Sequence, residues 1–378
     1  MTKSPTFFEL GESRRNNFDF LRFMLACLVI FSHSYPLTGE NNLEPLNRLS
    51  KGQIDVGKVS VDFFFVISGF LISSSWMHSN NAWDYAKKRA LRIYPGFVAA
   101  LFVCALIVGP MGGADLRHYF HQQDLFQFIS RPLSFRNVYP IQGVFLSNAI
   151  PGNMDGSLWT IRFGVFCYLL VLVGGLAGVY RRKSFVLLAF ALCFIFYKMW
   201  HKPLSLGYLD YLDEMPRLIL FFLAGMTFFF FRDRILHSPV LLVVSVLAIV
   251  ISIKKGLGIT FPIFGTYLLF YFAFHPSIRL HGFGRHGDFS YGIYLYAFPI
   301  QQLVIYYSHQ SITPMVVFLI ALPITLVVAV ASWFGVEKPF LRLKSRARNT
   351  NADLGFVSGV QSDKVAYYET AVNVSEKP

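Results

Sequence analysis

The stretch Phe18-Asp19-Phe20-Leu21-Arg22-Phe23-Met24-Leu25-Ala26-Cys27-Leu28-Val29-Ile30-Phe31-Ser32-His33-Ser34-Tyr35-Pro36-Leu37 is almost wholly apolar, and its two charged residues, Asp19 and Arg22, sit near its start. A helix of about 20 residues reaches roughly 30 Å, the thickness of a bilayer's hydrocarbon core. Backbone groups in lipid must be satisfied within the segment or in a closed barrel. The period-2 alternation of a barrel strand is missing, so the stretch predicts a spanning helix. Arg14 and Arg15 precede it as in a signal peptide, but it ends in His33-Ser34-Tyr35-Pro36 without a small-residue cleavage site. It is therefore expected to be retained.

The same reading extends outward. Apolar runs bounded by charge, Pro or Gly recur at 58–77, 93–110, 157–179, 184–200, 216–231, 238–253, 259–275, 289–308 and 315–335. The chain is 54% hydrophobic, 17% aromatic and only 15% charged, with a mean hydropathy of +0.48, a balance unlike that of soluble domains. An all-α, polytopic membrane protein of about ten transmembrane helices is expected, with the lipid bilayer as its surroundings. The formal charge of +13 lies between and beside the runs rather than along a stripe, so topology explains it better than nucleic acid does. Cys27, Cys104, Cys167 and Cys193 all fall inside apolar runs without ligand-like spacing, so neither a disulfide framework nor a metal site is expected.

Basic residues orient the bundle. With the N-terminus cytoplasmic, the inner segments collect Lys3, Arg14 and Arg15; Lys87, Lys88, Arg89 and Arg92; Arg181, Arg182 and Lys183; Arg232 and Arg234; Arg279 and Arg285; and Lys338, Arg342, Lys344, Arg346 and Arg348. These outnumber the basic residues of the outer segments, so both termini are expected in the cytoplasm. The chain then divides into a cytoplasmic segment 1–17, a transmembrane domain 18–340 and a cytoplasmic tail 341–378, polar and aperiodic enough to predict disorder. The longest outer loop, about 111–156, is rich in Gly, Pro and aromatics and suits a partly folded cover. No internal repeat is evident.

Ionisable groups within spanning helices invite functional readings. Arg22 and His33 are eleven residues apart, about 20° past three full turns, so they share a helix face with roughly 16 Å between them along the axis. The alternatives are a snorkelling arginine and a core histidine. Asp62, in Val61-Asp62-Phe63-Phe64-Phe65-Val66-Ile67-Ser68-Gly69-Phe70, falls near the depth of His33. It could orient the imidazole of a general base, or serve as a packing ion pair. Ser68-Gly69 would let another helix or a ligand come close. Arg89 and Arg92, three apart before the third apolar run, could clamp a phosphate or simply mark topology. In Gly156-Ser157-Leu158-Trp159-Thr160-Ile161-Arg162-Phe163-Gly164, Ser157 is a plausible helix cap. Trp159 is either an interfacial anchor or an apolar platform for a sugar ring. Arg162 matches Asp62 in depth and could pair with it. Tyr291 and Tyr294 place hydroxyls at helical spacing in Ser290-Tyr291-Gly292-Ile293-Tyr294-Leu295-Tyr296, for packing or for a substrate. Pro339 is expected to end the last helix after Glu337-Lys338.

Taken in order, these motifs resemble the acyltransferase-3 family of integral membrane O-acyltransferases. The resemblance spans about Asn17 to Arg342 and rests on Asn17-Phe18-Asp19-Phe20-Leu21-Arg22, the spacing from Arg22 to His33, Val61 to Leu71, Arg89-x-x-Arg92-Ile93-Tyr94-Pro95, Ser157-Leu158-Trp159-Thr160 and Ser290 to Tyr296. It implies transfer of an acyl, commonly acetyl, group from cytoplasmic acyl-CoA to a hydroxyl of an extracytoplasmic glycan or glycolipid, with no metal, by a multi-pass protein of the inner (plasma) membrane. It further implies His33 and Arg22 as essential, Asp62 as a supporting acid, and Arg89 with Arg92 at the acyl-CoA entrance. His33 would act as general base or carry the acyl group covalently. The family usually has a glutamate where this chain has Gly164, which makes an impaired member one alternative. A transporter of a glycolipid or small acid, and an interaction subunit of a polysaccharide export complex, are others.

The predicted topology has a direct test. Reporter fusions after Ser130 are expected to read extracytoplasmic, and those after Arg182 and Arg348 cytoplasmic. A cytoplasmic signal at Ser130 would invert the orientation.

Overall fold

The structure, a computed structural model, describes residues 5–11, 16–199, 213–309 and 311–343. The tail expected to be disordered begins at 341 and lies almost wholly outside them, as do Arg14 and Arg15. Among the described residues a helix occupies each of the ten predicted runs: α1 (Phe18–Leu37), α2 (Val56–Met77), α3 (Ala82–Val103), α4 (Trp159–Leu176), α5 (Lys183–Met199), α6 (Met215–Phe231), α7 (Pro239–Ser252), α8 (Leu257–Ala273), α9 (Ser290–Tyr307) and α10 (Pro314–Ser332). Five helical stretches are long and apolar enough to cross a membrane: α1, α2, α3 extended to Met111, α4, and α10 extended to Leu343. The chain is thus an all-helical, multi-pass membrane protein, while the other five helices are shorter or less apolar.

Local chemistry explains where helices begin. The Asp55 carboxylate accepts the Lys58 N–H at 2.7 Å and caps α2. Asn81 does the same for the Asp84 N–H at 2.8 Å, and Lys88 then pairs with Asp84 one turn on. The cap therefore starts α3 well before the expected position 93. Lys87 to Arg92 ride on this helix rather than preceding it, because an apolar run reveals only the lipid-facing part of an amphipathic segment. Ser157 does not cap α4, which opens at Trp159 without a side-chain cap. Pro339 does not end the last helix, because a π turn at Trp333–Glu337 shifts the hydrogen-bond register first. The helix then continues through Pro339 to Leu343.

Helix α1 lies among α2, α9 and α10, and the most extensive pairing is between α2 and α6. One apolar core gathers α2, α6 and α8; a second gathers α3, α9 and the segment after α3, and α1 contributes to both. Toward the end of α1, Gln301 of α9 donates to the Ile30 carbonyl and the Ser34 hydroxyl, both at 2.8 Å. Gln302 donates to the carbonyls of Ile150 and Asn153, which pins the long loop to α9. That loop is folded, with a helix at Gln123–Leu133 and a Tyr119 hydroxyl donating to the Ala105 carbonyl at 2.8 Å.

The α2–α6 pairing depends on Gly69 and Gly225. A Cβ at Gly69 would overlap the Phe222 carbonyl oxygen, and one at Gly225 would overlap that of Val66. Small residues let the two backbones meet. Gly69→Ala and Gly225→Ala are each expected to lower the unfolding temperature in detergent, by the equivalent of about 1–3 kcal/mol for an overpacked contact. Gly164→Ala, where nothing lies within 4 Å of an added Cβ, should not. Equal melting of all three variants would refute this close crossing.

Candidate active site

Between the two cores lies a cavity of about 150 Å³. Val61, Phe64, Phe65 and Ser68 of α2 form one wall and Thr160, Ile161, Gly164 and Tyr168 of α4 another; Tyr291 and Tyr294 of α9 close a third side. Arg22 of α1 and Arg92 of α3 complete the lining. Several hydroxyl groups in an otherwise apolar wall are satisfied locally. The Tyr291 hydroxyl donates to the Ile93 carbonyl at 2.9 Å and that of Tyr294 to the Ser157 carbonyl at 3.0 Å, while Thr160 and Tyr294 share a hydroxyl contact of 2.7 Å.

Charge concentrates at one end. Arg22 and Arg92 both donate to Oδ2 of Asp288, just before α9. Oδ1 of Asp288 accepts the Ser290 hydroxyl and its backbone N–H. Burial alone would raise this carboxyl's pKa, but the two guanidiniums and Ser290 hold it well below the usual carboxylate range. Arg89, one turn before Arg92, has Tyr168, Tyr85, Arg92 and Arg22 as electrostatic neighbours, and its Nε is buried without a hydrogen-bond partner. Glu337, 2% exposed, closes the same end beside Arg92, whose guanidinium also lies 5.9 Å from the Trp333 ring centroid.

The cavity thus unites Arg22, Arg92, Ser68, Tyr291 and Tyr294 from the residues singled out in the sequence, and adds Thr160, Tyr168, Ser290 and, behind the arginines, Asp288. It does not include His33, Asp62, Arg89, Gly69, Trp159 or Arg162. His33 lies farther along α1, half-buried, its ring edge-on to Phe298 at 5.6 Å and its Nδ1 without a hydrogen-bond partner. Phe298 is one turn beyond Tyr294 on α9 and abuts Gly156, so it stands between the imidazole and the start of α4.

The partner expected for Asp62 is corrected. Asp62 orients neither His33 nor Arg162: fully buried, it pairs with Arg217 of α6, which also binds Glu214 at 2.7 Å. Equal depth was not enough to choose a partner, because Arg217 sits inside a run read only for its apolarity. Of the two alternatives for Ser68-Gly69, Gly69 admits a helix, while Ser68 lines the cavity. The Arg162 guanidinium lies 4.6 Å from the Phe163 ring centroid. Position 164 is two residues on, about 200° around the helix, so a carboxylate there would enter the cavity instead of meeting Arg162. Trp159 packs edge-on to Phe163 at 5.7 Å and against the first core. Asp288 carried no warning in the sequence, since its partners lie 266 and 196 residues away.

No solved structure matches. An O-acetyl transferase of Shigella phage Sf6 is 29% identical over 348 residues, covering 88% of this chain and 98% of that protein. Nodulation protein 10 of Rhizobium leguminosarum bv. viciae is 30% identical over 166 residues, 43% of this chain and 44% of its own. Residues 15–334 match the family described as an acyltransferase domain. That match takes in every helix from α1 to α10 and sets aside the transporter and interaction-subunit readings: the chain belongs to the acyltransferase-3 family and is an acyltransferase enzyme.

Proposed function

We propose that the protein transfers an acyl group, in the first instance acetyl, from cytoplasmic acyl-CoA to a hydroxyl of an extracytoplasmic glycan or lipid-linked sugar, in the inner (plasma) membrane. The observation that carries this reading is the polarity of the cavity, with two guanidiniums at one end and an apolar, hydroxyl-lined chamber beyond them. Guanidinium forks suit phosphate. At about 150 Å³ the chamber is smaller than the roughly 300–1,000 Å³ of pockets that enclose whole drug-sized ligands. It suits an acyl-thioester arm, with the nucleotide outside the arginine mouth. Arg89 would extend that mouth.

In the transfer, His33 accepts the proton of the acceptor hydroxyl as its oxygen attacks the thioester carbonyl carbon. The C–S bond breaks, an ester forms, and the departing thiolate takes a proton to leave as the free thiol of CoA. Neutral imidazole is the form that accepts a proton. The unpartnered Nδ1 of His33 supports this assignment over that of a satisfied core histidine, and a covalent acyl-imidazole would use the same nitrogen chemistry. The O-acetyl transferase relative supports oxygen as the accepting atom.

General-base catalysis contributes about 10²–10⁴-fold, so His33→Ala is expected to remove turnover per folded molecule while the protein stays in the membrane. Near-normal specific activity would make His33 a packing residue. Asp62→Asn is expected to act differently, since it leaves Arg217 with one carboxylate fewer: its unfolding temperature should fall while acyl-CoA affinity stays unchanged. A large loss of donor affinity without destabilisation would return Asp62 to the site.

The impaired-member reading has its own observation, the open space at Gly164 in the cavity wall. Gly164→Glu is expected to fold normally and to raise turnover by restoring a carboxylate to the chamber. Lower turnover in a well-folded variant would show that this chain works without one. Mass analysis of host surface glycans with and without the protein tests the whole proposal, the expected difference being one acyl group per modified sugar.

A further inference from the structure

Asp288 touches both cavity-lining arginines yet does not itself line the cavity. It stands behind them. Arg22 comes from α1 and Arg92 from α3, and each offers Asp288 one terminal nitrogen, Nη1 and Nη2 respectively. A guanidinium carries five N–H donors in a rigid fork, so contact through one nitrogen anchors the group beside Asp288 and leaves the rest of the fork for a ligand on the cavity side. The other carboxylate oxygen is held by Ser290, the first residue of α9, which also lines the cavity. The same helix carries Tyr291 and Tyr294 into the chamber. Without Asp288, two like charges would face each other across the mouth and would be free to splay.

We propose that Asp288 is the positioning residue of the donor site: it sets Arg22 and Arg92 as a preformed clamp for the phosphate groups of the donor and, through Ser290, ties that clamp to the helix forming the acyl chamber. This rests on the reading of the cavity as the donor site. A clamp held from behind binds without first expelling its counter-ion, because the donor takes donor atoms that Asp288 does not use. The ordering cost of the two long side chains is then met in folding rather than in binding.

The test uses the purified full chain in detergent, with binding of coenzyme A and, separately, of inorganic pyrophosphate measured by calorimetry. Asp288→Asn is expected to weaken both probes about tenfold, equivalent to about 1.4 kcal/mol, and Asp288→Glu to recover part of that loss. In turnover, the acyl-CoA KM should rise with the acceptor KM unchanged. If Asp288 were only a structural staple, Asp288→Asn would melt earlier while its folded fraction bound both probes with wild-type affinity, and that result overturns the proposal. Should Asp288→Asn not fold, Asp288→Glu decides, since its displaced carboxylate must shift pyrophosphate affinity if Asp288 aims the clamp. Wild-type affinity in that variant also overturns the proposal. The donor reading fails separately: a wild-type protein that binds pyrophosphate in an Asp288-dependent way but ignores coenzyme A sinks the acyl-CoA assignment and keeps the clamp. A wild-type protein that binds neither probe sinks both.

Discussion

A guanidinium buried among helices requires an opposite charge, and the bundle is arranged around meeting that requirement. Removing one partner of a buried pair typically costs about 3–5 kcal/mol. Two carboxylates answer it here in different ways. Asp62 receives Arg217, which also reaches Glu214, and the cluster helps to join α2 to α6 on one side of the cavity. Asp288 receives Arg22 and Arg92 and joins α1, α3 and the start of α9 at the cavity's charged end. The first fits a packing role, since none of its three residues lines the cavity. In the second, both arginines do.

The position of α1 follows from this. It enters both apolar cores and is fastened to α9 at two levels, through Arg22 and Asp288 at one end and through Gln301 with Ile30 and Ser34 at the other. Between these levels runs the roughly 16 Å that separates Arg22 from His33 on one helix face. The proposed reaction, joining groups from two sides of a membrane, would need two recognition points at fixed separation, and a helix pinned at both levels would supply a rigid spacer. Tyr294 and Phe298, one turn apart on α9, occupy the interval, the first in the cavity and the second against the imidazole.

Much of this was legible in the sequence, and what was missed shares a physical character. Each of the ten predicted apolar runs carries a helix among the described residues, and the five that are long and apolar enough to cross a membrane stand out because lipid imposes a length and a composition on a spanning segment independently of its neighbours. Arg22, Arg92, Ser68, Tyr291 and Tyr294 could be singled out because polar groups stand out in apolar surroundings. Partner choice could not be read. The depth argument that set Asp62 beside His33 uses one coordinate, whereas pairing also depends on which helix is adjacent and how it is rotated. Asp288 precedes its helix and so looked like an ordinary boundary residue. The early start of α3 and the passage through Pro339 were hidden for a different reason, since a cap and a π turn leave no hydrophobic signature.

The chamber's hydroxyls also bear on how acyl transfer would avoid the wrong acceptor. A thioester held beside serine, threonine and tyrosine side chains could acylate the protein itself, and water could hydrolyse it. Yet the Tyr291 and Tyr294 hydroxyls donate to main-chain carbonyls, and Thr160 shares its hydroxyl with Tyr294. Groups committed in this way are poorly placed to give up a proton to a base during attack. The nearby walls of Val61, Phe64, Phe65, Ile93, Ile161 and Phe222 are apolar and limit the room for water. The unpartnered imidazole nitrogen of His33 lies outside the cavity, on the side of Phe298. If the cavity holds the donor and His33 is the base, as proposed above, separating the two in this way would keep the thioester intact until an acceptor hydroxyl is brought to the imidazole, and selectivity would arise from where the proton acceptor stands rather than from the reactivity of the donor.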